Sequence, residues 1–194
     1  GMARAHIADP NIVNKAFAGR EGETVPCIAC NQGCAGMLAL SLPITCLTNP
    51  SAGKETEWPT LSLQKNCKKV IVIGGGPAGM EAAWVASEAG HDVQLWERQS
   101  KLGGQLNWTL QMPLRREFQK LIDHQRARLT SGSVKVKLNH KADSHAVKLA
   151  DPDLVIVATG SQEKASLLSC GAYALTLQAA LKDHHILGEH VVLQ

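Results

Sequence analysis

Cys27-Ile28-Ala29-Cys30-Asn31-Gln32-Gly33-Cys34 places three thiols within eight residues, and Cys46 follows after eleven more. Thiolates are soft, polarisable ligands that suit iron–sulfur iron or zinc. A cubane cluster points its iron corners in different directions, so a tight loop can reach three and a later residue can return to the fourth. Three close cysteines and one distant one fit that geometry. Zinc is the alternative, although structural zinc more often takes two separated pairs. A disulfide framework is a third reading and suits a leaderless α/β chain poorly. Gly33 and Gly36 are expected to turn the backbone closely and aim amide donors at sulfide, which helps set a potential. Cys67 and Cys170 lie outside the group and read as ordinary small residues.

The second chemistry-bearing stretch is Gly74-Gly75-Gly76-Pro77-Ala78-Gly79. It follows an apolar run and opens a helical pattern, the context in which G-x-G-x-x-G is informative. Gly74 permits the tight turn, Gly76 removes a side chain where pyrophosphate must approach, and Gly79 lets helix and strand pack closely. Free amides at the helix start face the anion. Glu97 ends the next strand, eighteen residues beyond Gly79. A carboxylate there accepts hydrogen bonds from ribose hydroxyls and repels a 2′-phosphate. The plain alternative is a glycine turn that binds nothing. Two further loops, Leu102-Gly103-Gly104-Gln105 and Ala158-Thr159-Gly160, fall where a parallel sheet gathers ligands; each alone could be a simple connection.

These residues need a scaffold, and the sequence predicts an α/β one. Asp9-Pro10 caps a short helix carrying Ile12, Val13 and Phe17 and ended by Gly19. Val25 to Gly53 has little periodicity and is expected to wrap something, and Ser51 to Lys65 reads as a linker. Val70-Ile71-Val72-Ile73 is a buried-strand signature, Met80 to Ala89 a helix closed by Gly90, and Asp92 to Glu97 a second strand. Leu114, Phe118, Leu121, Ile122, Gln125 and Leu129 fall mostly on one helical face. Val134, Val136 and Leu138 alternate with lysines, as in a strand wet on one side. Leu154 to Val157 reads as another buried strand, Leu175 to Leu181 as a last helix, and Val191-Val192-Leu193 as the start of a strand. Strand–helix alternation implies a parallel, Rossmann-like sheet with right-handed crossovers. Three parts result: residues 1–24, the cysteine segment and linker 25–66, and a dinucleotide-binding domain 67–194.

Bulk properties narrow the partners. A 44% hydrophobic fraction fills a core, and a formal charge of +3 argues for neither nucleic acid nor an acidic membrane surface. No apolar run approaches bilayer length. No charged-then-apolar leader opens the chain, so a reducing, cytoplasmic setting is expected, with thiols or metal ligands instead of disulfides. The eight histidines are scattered, and no acid, base or nucleophile constellation is visible.

Taken together, these features resemble the family of trimethylamine dehydrogenase, 2,4-dienoyl-CoA reductase and related N-demethylating flavoproteins. The stretches that carry the likeness are Met2 to Pro10, Pro26 through Cys34, Cys46-Leu47-Thr48-Asn49-Pro50, Val70 through Gly79, Glu97-Arg98, Gly103-Gly104-Gln105 and Val157 to Gly160. Members have a TIM barrel holding FMN, then a [4Fe–4S] cluster, then two nested nucleotide-binding domains that hold FAD or ADP and accept NAD(P)H. The resemblance implies that Cys27, Cys30, Cys34 and Cys46 ligate the cluster. It implies that Ala78, Glu97, Gln105, Arg115 and Ala142 contact FAD or ADP, within a site that also includes Gly74, Gly76, Pro77, Gly79, Arg98, Gly103, Gly104, Ala158, Thr159 and Gly160. Arg4 matches the residue that helps hold the FMN phosphate.

The departures from that pattern are equally specific. No barrel precedes Met2, which leaves Arg4 a solvated arginine, and a second nucleotide domain would begin near His190, just before Gln194. The expectation is an oxidoreductase fragment, inactive alone, that relays electrons between a [4Fe–4S] cluster and FAD and whose partner is the missing FMN barrel or another electron donor or acceptor. An adenine-nucleotide-binding module with structural ADP is the alternative. A third reading is a remnant whose exposed sheet edge drives homo-oligomerisation.

Overall fold

The computed structural model describes residues 2–58, 63–164, 174–183 and 187. Cys170, His184-His185, His190 and the strand expected at Val191-Val192-Leu193 lie outside them.

The chain opens with two short helices, α1 (Ala3–Ala8) and α2 (Ile12–Phe17). Asp9 organises their junction. One oxygen of its carboxylate accepts the Asn11 amide at 3.0 Å, and the other accepts Lys15 Nζ at 2.7 Å and the Val25 amide at 2.9 Å. Burial works to raise the pKa of that carboxyl. The Lys15 ammonium and the Val25 and Asn11 amides prevail and hold it below the ordinary value. The spacing of Ile12, Val13 and Phe17 does give a helix, but not a buried one: Phe17 is 89% exposed and Val13 is exposed as well. The turn chemistry around Asp9 therefore shapes this segment more than its hydrophobic residues do.

A 3-10 turn (Glu21–Glu23) leads into the cysteine segment, which is irregular, as expected, apart from one π-turn (Gln32–Gly36) and a single-turn helix, α3 (Met37–Ala39). Ala29, Asn31 and Ser41 all take left-handed backbone angles.

The remaining elements form the α/β unit. They are β1 (Lys69–Ile73), α4 (Pro77–Glu88), β2 (Asp92–Trp96), α5 (Leu106–Thr109), α6 (Glu117–Ser131), β3 (Lys135–Lys137), α7 (Ser144–Ala150), β4 (Leu154–Val157) and α8 (Leu177–Lys182). The four strands make one sheet in the order β3-β2-β1-β4, and every pairing is parallel. The order reverses between β1 and β4, so the crevice beyond their carboxyl ends is a topological switch point.

Val70 and Val72 of β1, Val93 and Leu95 of β2, Met80 and Ala83 of α4, Leu102 and Leu129 pack as one apolar core. Helix α6 buries Leu121, Ile122, Gln125 and Leu129, the face its spacing predicts, and also His124. Gln125 tolerates burial because its side-chain amide donates to the Pro77 carbonyl at 3.1 Å. Arg128 of α6 grips both carboxylate oxygens of Glu81 at 3.0 and 3.2 Å and lies over the Trp84 ring, tying α6 to α4.

Three expectations need correction. Leu114 belongs to no helical face; it precedes α6 with a left-handed φ and is 94% exposed. Leu154 to Val157 is a strand but not a buried one. Among the described residues it pairs only with β1, and Leu154 and Val157 are exposed. Its start is pinned by backbone geometry instead, with the Lys69 amide on Asp153 Oδ2 at 2.7 Å and the Asp153 amide on the Lys69 carbonyl at 2.9 Å. All three residues of β3 are exposed, so neither side of that strand is dry, and Leu138 just beyond it is exposed as well.

Candidate functional site

The glycine-rich turn leaves β1 and enters α4 at Pro77, with Gly76 as the capping residue in extended conformation. Gly79 sits behind the turn. A Cβ there would lie 1.8 Å from the Gly74 carbonyl oxygen and 3.3 Å from Ala158 Cβ, so only glycine allows the helix to start this close to β1 and β4. Pro77 opens α4 without an amide hydrogen and the Met80 amide donates to the Gly76 carbonyl at 2.9 Å, so the helix start leaves the amides of Ala78 and Gly79 without an intrahelical acceptor, and Ala78 lines the groove.

The second loop docks on the first. The Gly103 amide donates to the Gly75 carbonyl at 2.8 Å. Gly104 has φ +53°, and a Cβ on it would come within 2.9 Å of Gly76 Cα. Gly76 itself is open: a Cβ there meets nothing nearer than Gly104 Cα at 3.9 Å. The backbone at Gly76 is thus the point that a bulky anion can approach.

Glu97, buried at the end of β2, turns its carboxylate back to the turn. It accepts the Gly75 amide at 2.6 Å through one oxygen and the Gln99 amide at 2.7 Å through the other. An ionised carboxylate offers about four acceptor positions, so two remain for hydroxyl donors. Gln105 reaches across to the third loop, donating its amide to the Ser161 carbonyl at 2.8 Å and to Ser161 Oγ at 3.0 Å.

These loops enclose a groove of about 350 Å³. Its lining includes the expected Gly74, Gly76, Pro77, Ala78, Glu97, Arg98, Gly104, Gln105, Ala158, Thr159 and Gly160. Lys101 and Arg98 supply positive charge beside the open amides. A second cavity of about 290 Å³ shares Gly74, Glu97, Arg98, Thr159, Gly160 and Gln162 with the groove and runs past the ends of β1 and β2, at Ile73 and Trp96, to His140, Lys141 and Ala142. Glu97 therefore stands where the two spaces meet. Gly79 and Gly103 line neither space; they hold the loops that do. Arg115 is exposed ahead of α6, away from both.

Sequence reasoning missed Ser100, Asn107, Ser161 and Gln162, all of which line the groove. The Gly-Gly and Thr-Gly loops were visible signals; how far their flanks reach inward was not.

The four cysteines share a smaller cavity. Cys27, Cys30, Cys34 and Cys46 line it together with Arg4, Ile7, Ile28, Asn31, Gly33, Leu47 and Thr48. Gly33 lets its loop touch the strand of chain carrying Cys46: the Thr45 amide donates to the Gly33 carbonyl at 2.6 Å, and a Cβ on Gly33 would strike Thr45. Asn49 ties the same region to α1 through the Ile7 carbonyl at 2.9 Å.

Two expectations change here. Arg4 is not merely solvated, because its guanidinium donates to Asn31 Oδ1 at 2.6 Å beside the cysteines. The Gly36 amide is not aimed at the cavity, because it closes the π-turn on the Asn31 carbonyl at 2.7 Å. Among the described residues, no three His, Cys, Asp or Glu side chains gather in the arrangement that holds a single metal ion.

The family of FAD-dependent oxidoreductases matches residues 69–162. This stretch is an FAD-dependent oxidoreductase domain. It is related to the NADH:flavin oxidoreductase and amine dehydrogenase family and covers only part of those larger proteins. A probable N-methylproline demethylase of Rhizobium meliloti is 38% identical over 172 residues, 88% of this chain and 25% of the relative. An NADH oxidase of Thermoanaerobacter brockii is 40% identical over 162 residues, 83% of this chain and 25% of that protein. A solved 2-naphthoyl-CoA reductase in complex with 2-naphthoyl-CoA superposes with TM-score 0.79 at 34% identity, over 86% of this chain and 25% of that one. The chain thus spans about a quarter of the length of these relatives. Among the described residues, no helix is long and apolar enough to cross a membrane.

Proposed function

We propose that this chain is the electron-transfer portion of a larger oxidoreductase, in which FAD occupies the groove and a [4Fe–4S] cluster occupies the cysteine cavity. The observation that carries the reading is the pairing of the two sites in one chain: a switch-point groove with Glu97 at its centre, and four thiols around one cavity.

The groove suits the cofactor. The open backbone at Gly76 and the α4 amides would receive pyrophosphate, Glu97 would take ribose hydroxyls, and the space toward His140 and Ala142 would receive adenine. Gln105 and Ser161 would close the far side. Bound FAD would supply a carrier able to accept electrons singly or in pairs; the chain's own part is to orient it and exclude water.

The cysteine cavity suits a cluster better than a single ion. Tetrahedral zinc draws all its sulfurs to about 2.3 Å from one centre. These thiols share one cavity without that convergence, which counts against zinc; the cluster reading rests on the three-plus-one spacing of Cys27, Cys30, Cys34 and Cys46 around that cavity. Residues 25–66 would then be the cluster segment and 67 onward the flavin domain.

Anaerobic purification with iron, sulfide, zinc and flavin analysis tests the reading. Iron with acid-labile sulfide and FAD is the expected result; iron-free protein after reconstitution rejects the cluster. Recovery of ADP in place of FAD, with the cysteines as plain thiols, would support the second reading, a structural nucleotide module.

A further inference from the structure

We propose that Thr48 sets the reduction potential of the cluster by donating its hydroxyl hydrogen to Cys46 Sγ. The inference rests on the cluster reading above.

Cys46 Sγ and Thr48 Oγ1 lie 3.3 Å apart, and both residues line the four-cysteine cavity. Between a thiol and a hydroxyl either group can donate. A thiolate bound to iron has no proton, so the direction becomes fixed: Thr48 donates and Cys46 accepts. Thr48 is only 6% exposed, so water does not compete strongly for that hydroxyl. A hydrogen bond to an ionised acceptor in a desolvated setting is stronger than a neutral one.

The consequence is electronic. A donor on a ligand sulfur draws electron density from the iron–sulfur core and favours the reduced, more negative state. When one electron enters, no bond of Thr48 breaks and its proton stays on oxygen. The cavity has few rivals for this role among side chains near a sulfur. Arg4 is engaged with Asn31, and the Thr45 hydroxyl is turned to the Gly33 carbonyl at 3.5 Å. Thr48 is therefore a positioning residue that acts through Cys46.

The test is a redox titration of the anaerobically reconstituted full chain, with dithionite as reductant and electron paramagnetic resonance as the readout. Wild type, Thr48→Val, Thr48→Ala and Thr48→Ser are compared, each with its iron content. Valine keeps the shape and removes the donor. The expected result is that Val and Ala retain iron and titrate to more negative potential. A tenfold change in the oxidised-to-reduced ratio is about 59 mV for a one-electron couple, and a shift on the order of that size is expected. Serine restores the wild-type value. A wild-type potential in iron-loaded Val and Ala variants overturns this proposal and leaves the cluster reading intact. Loss of iron from both variants gives Thr48 a purely structural role and also overturns it. Absence of iron from wild type overturns the proposal together with the reading beneath it.

Discussion

The Glu97 carboxylate bridges the backbone amides of Gly75 and Gln99, at 2.6 and 2.7 Å. One residue thus joins the end of β2 to the turn that follows β1, and it does so in the groove. Glu97→Gln keeps the shape but turns one acceptor into a donor facing a buried amide. That mismatch costs about 1–3 kcal/mol, or about 2–4 °C of melting temperature per kcal/mol for a chain of this size. ADP or FAD affinity should fall at least about tenfold. Fluorescence titration beside thermal unfolding checks both. Unchanged affinity in a destabilised variant would limit Glu97 to stapling the turn.

Two glycines separate binding from folding. Gly104→Ala places a methyl 2.9 Å from Gly76 Cα at a left-handed φ, so the second loop must lift from the first. Overpacking of this kind costs about 1–3 kcal/mol, and both stability and nucleotide affinity should drop. Gly76→Ala meets no atom closer than 3.9 Å and adopts an ordinary extended backbone. It should melt as wild type does and still lose affinity about tenfold or more, because the methyl fills the approach to the backbone. Equal affinity of Gly76→Ala and wild type would place the pyrophosphate elsewhere.

How much of this was legible follows from the physics of each residue. The order Val70–Ile73, glycine turn, helix, Glu97 could be read because strand period, turn chemistry and carboxylate spacing all act locally. The same holds for the three-plus-one cysteines, which the fold brings to one cavity. Less legible were contacts between distant residues: Arg4 on Asn31, Gln105 on Ser161, Gly104 against Gly76. None has a sequence spacing to betray it. Burial was misjudged at Leu154 and Val157, exposed on a strand that among the described residues pairs only with β1. Helix α7 was missed because its signal is an Asp143 side chain accepting the Ala146 amide at 2.8 Å, not an apolar stripe.

His124 should make stability depend on mildly acidic pH. Burial, followed by the Arg128 and Lys15 charges, pushes it down from 6.5 to about 4, with Asp9 opposing weakly. Its Nε2 is buried and has no hydrogen-bond partner among the described residues. The folded pKa is below the unfolded one, so the unfolded chain binds more protons between those values. Stability from this group is complete above pH 6.5 and is lost as pH falls toward 4, by roughly 1–2 kcal/mol after solvent screening of a half-buried group. Urea titrations at pH 7 and pH 4.5 on wild type and His124→Gln measure it. The variant should lose less stability on acidification; equal losses would assign the effect to other groups.

The cysteines make the last prediction, and position supplies its internal control. Cys27, Cys30, Cys34 and Cys46 line one cavity, whereas Cys67 is exposed just before β1. All five are free thiols, so thiol chemistry alone does not distinguish them. If the cavity holds a cluster, replacing any one of its four cysteines by serine removes a soft ligand for which a hydroxyl is a poor substitute. Iron and sulfide after anaerobic reconstitution should then fall several-fold in Cys27→Ser, Cys30→Ser, Cys34→Ser and Cys46→Ser. Cys67→Ser should reconstitute as wild type does, because its side chain faces solvent and meets none of the others. Flavin content gives a second axis: the groove lies beyond β1 and β4 and draws none of its lining from the cysteine loop, so the four variants should still bind FAD. Full iron incorporation in two or more of the four would exclude a four-thiolate centre, and simultaneous loss of flavin would show that the cysteine segment supports the groove as well.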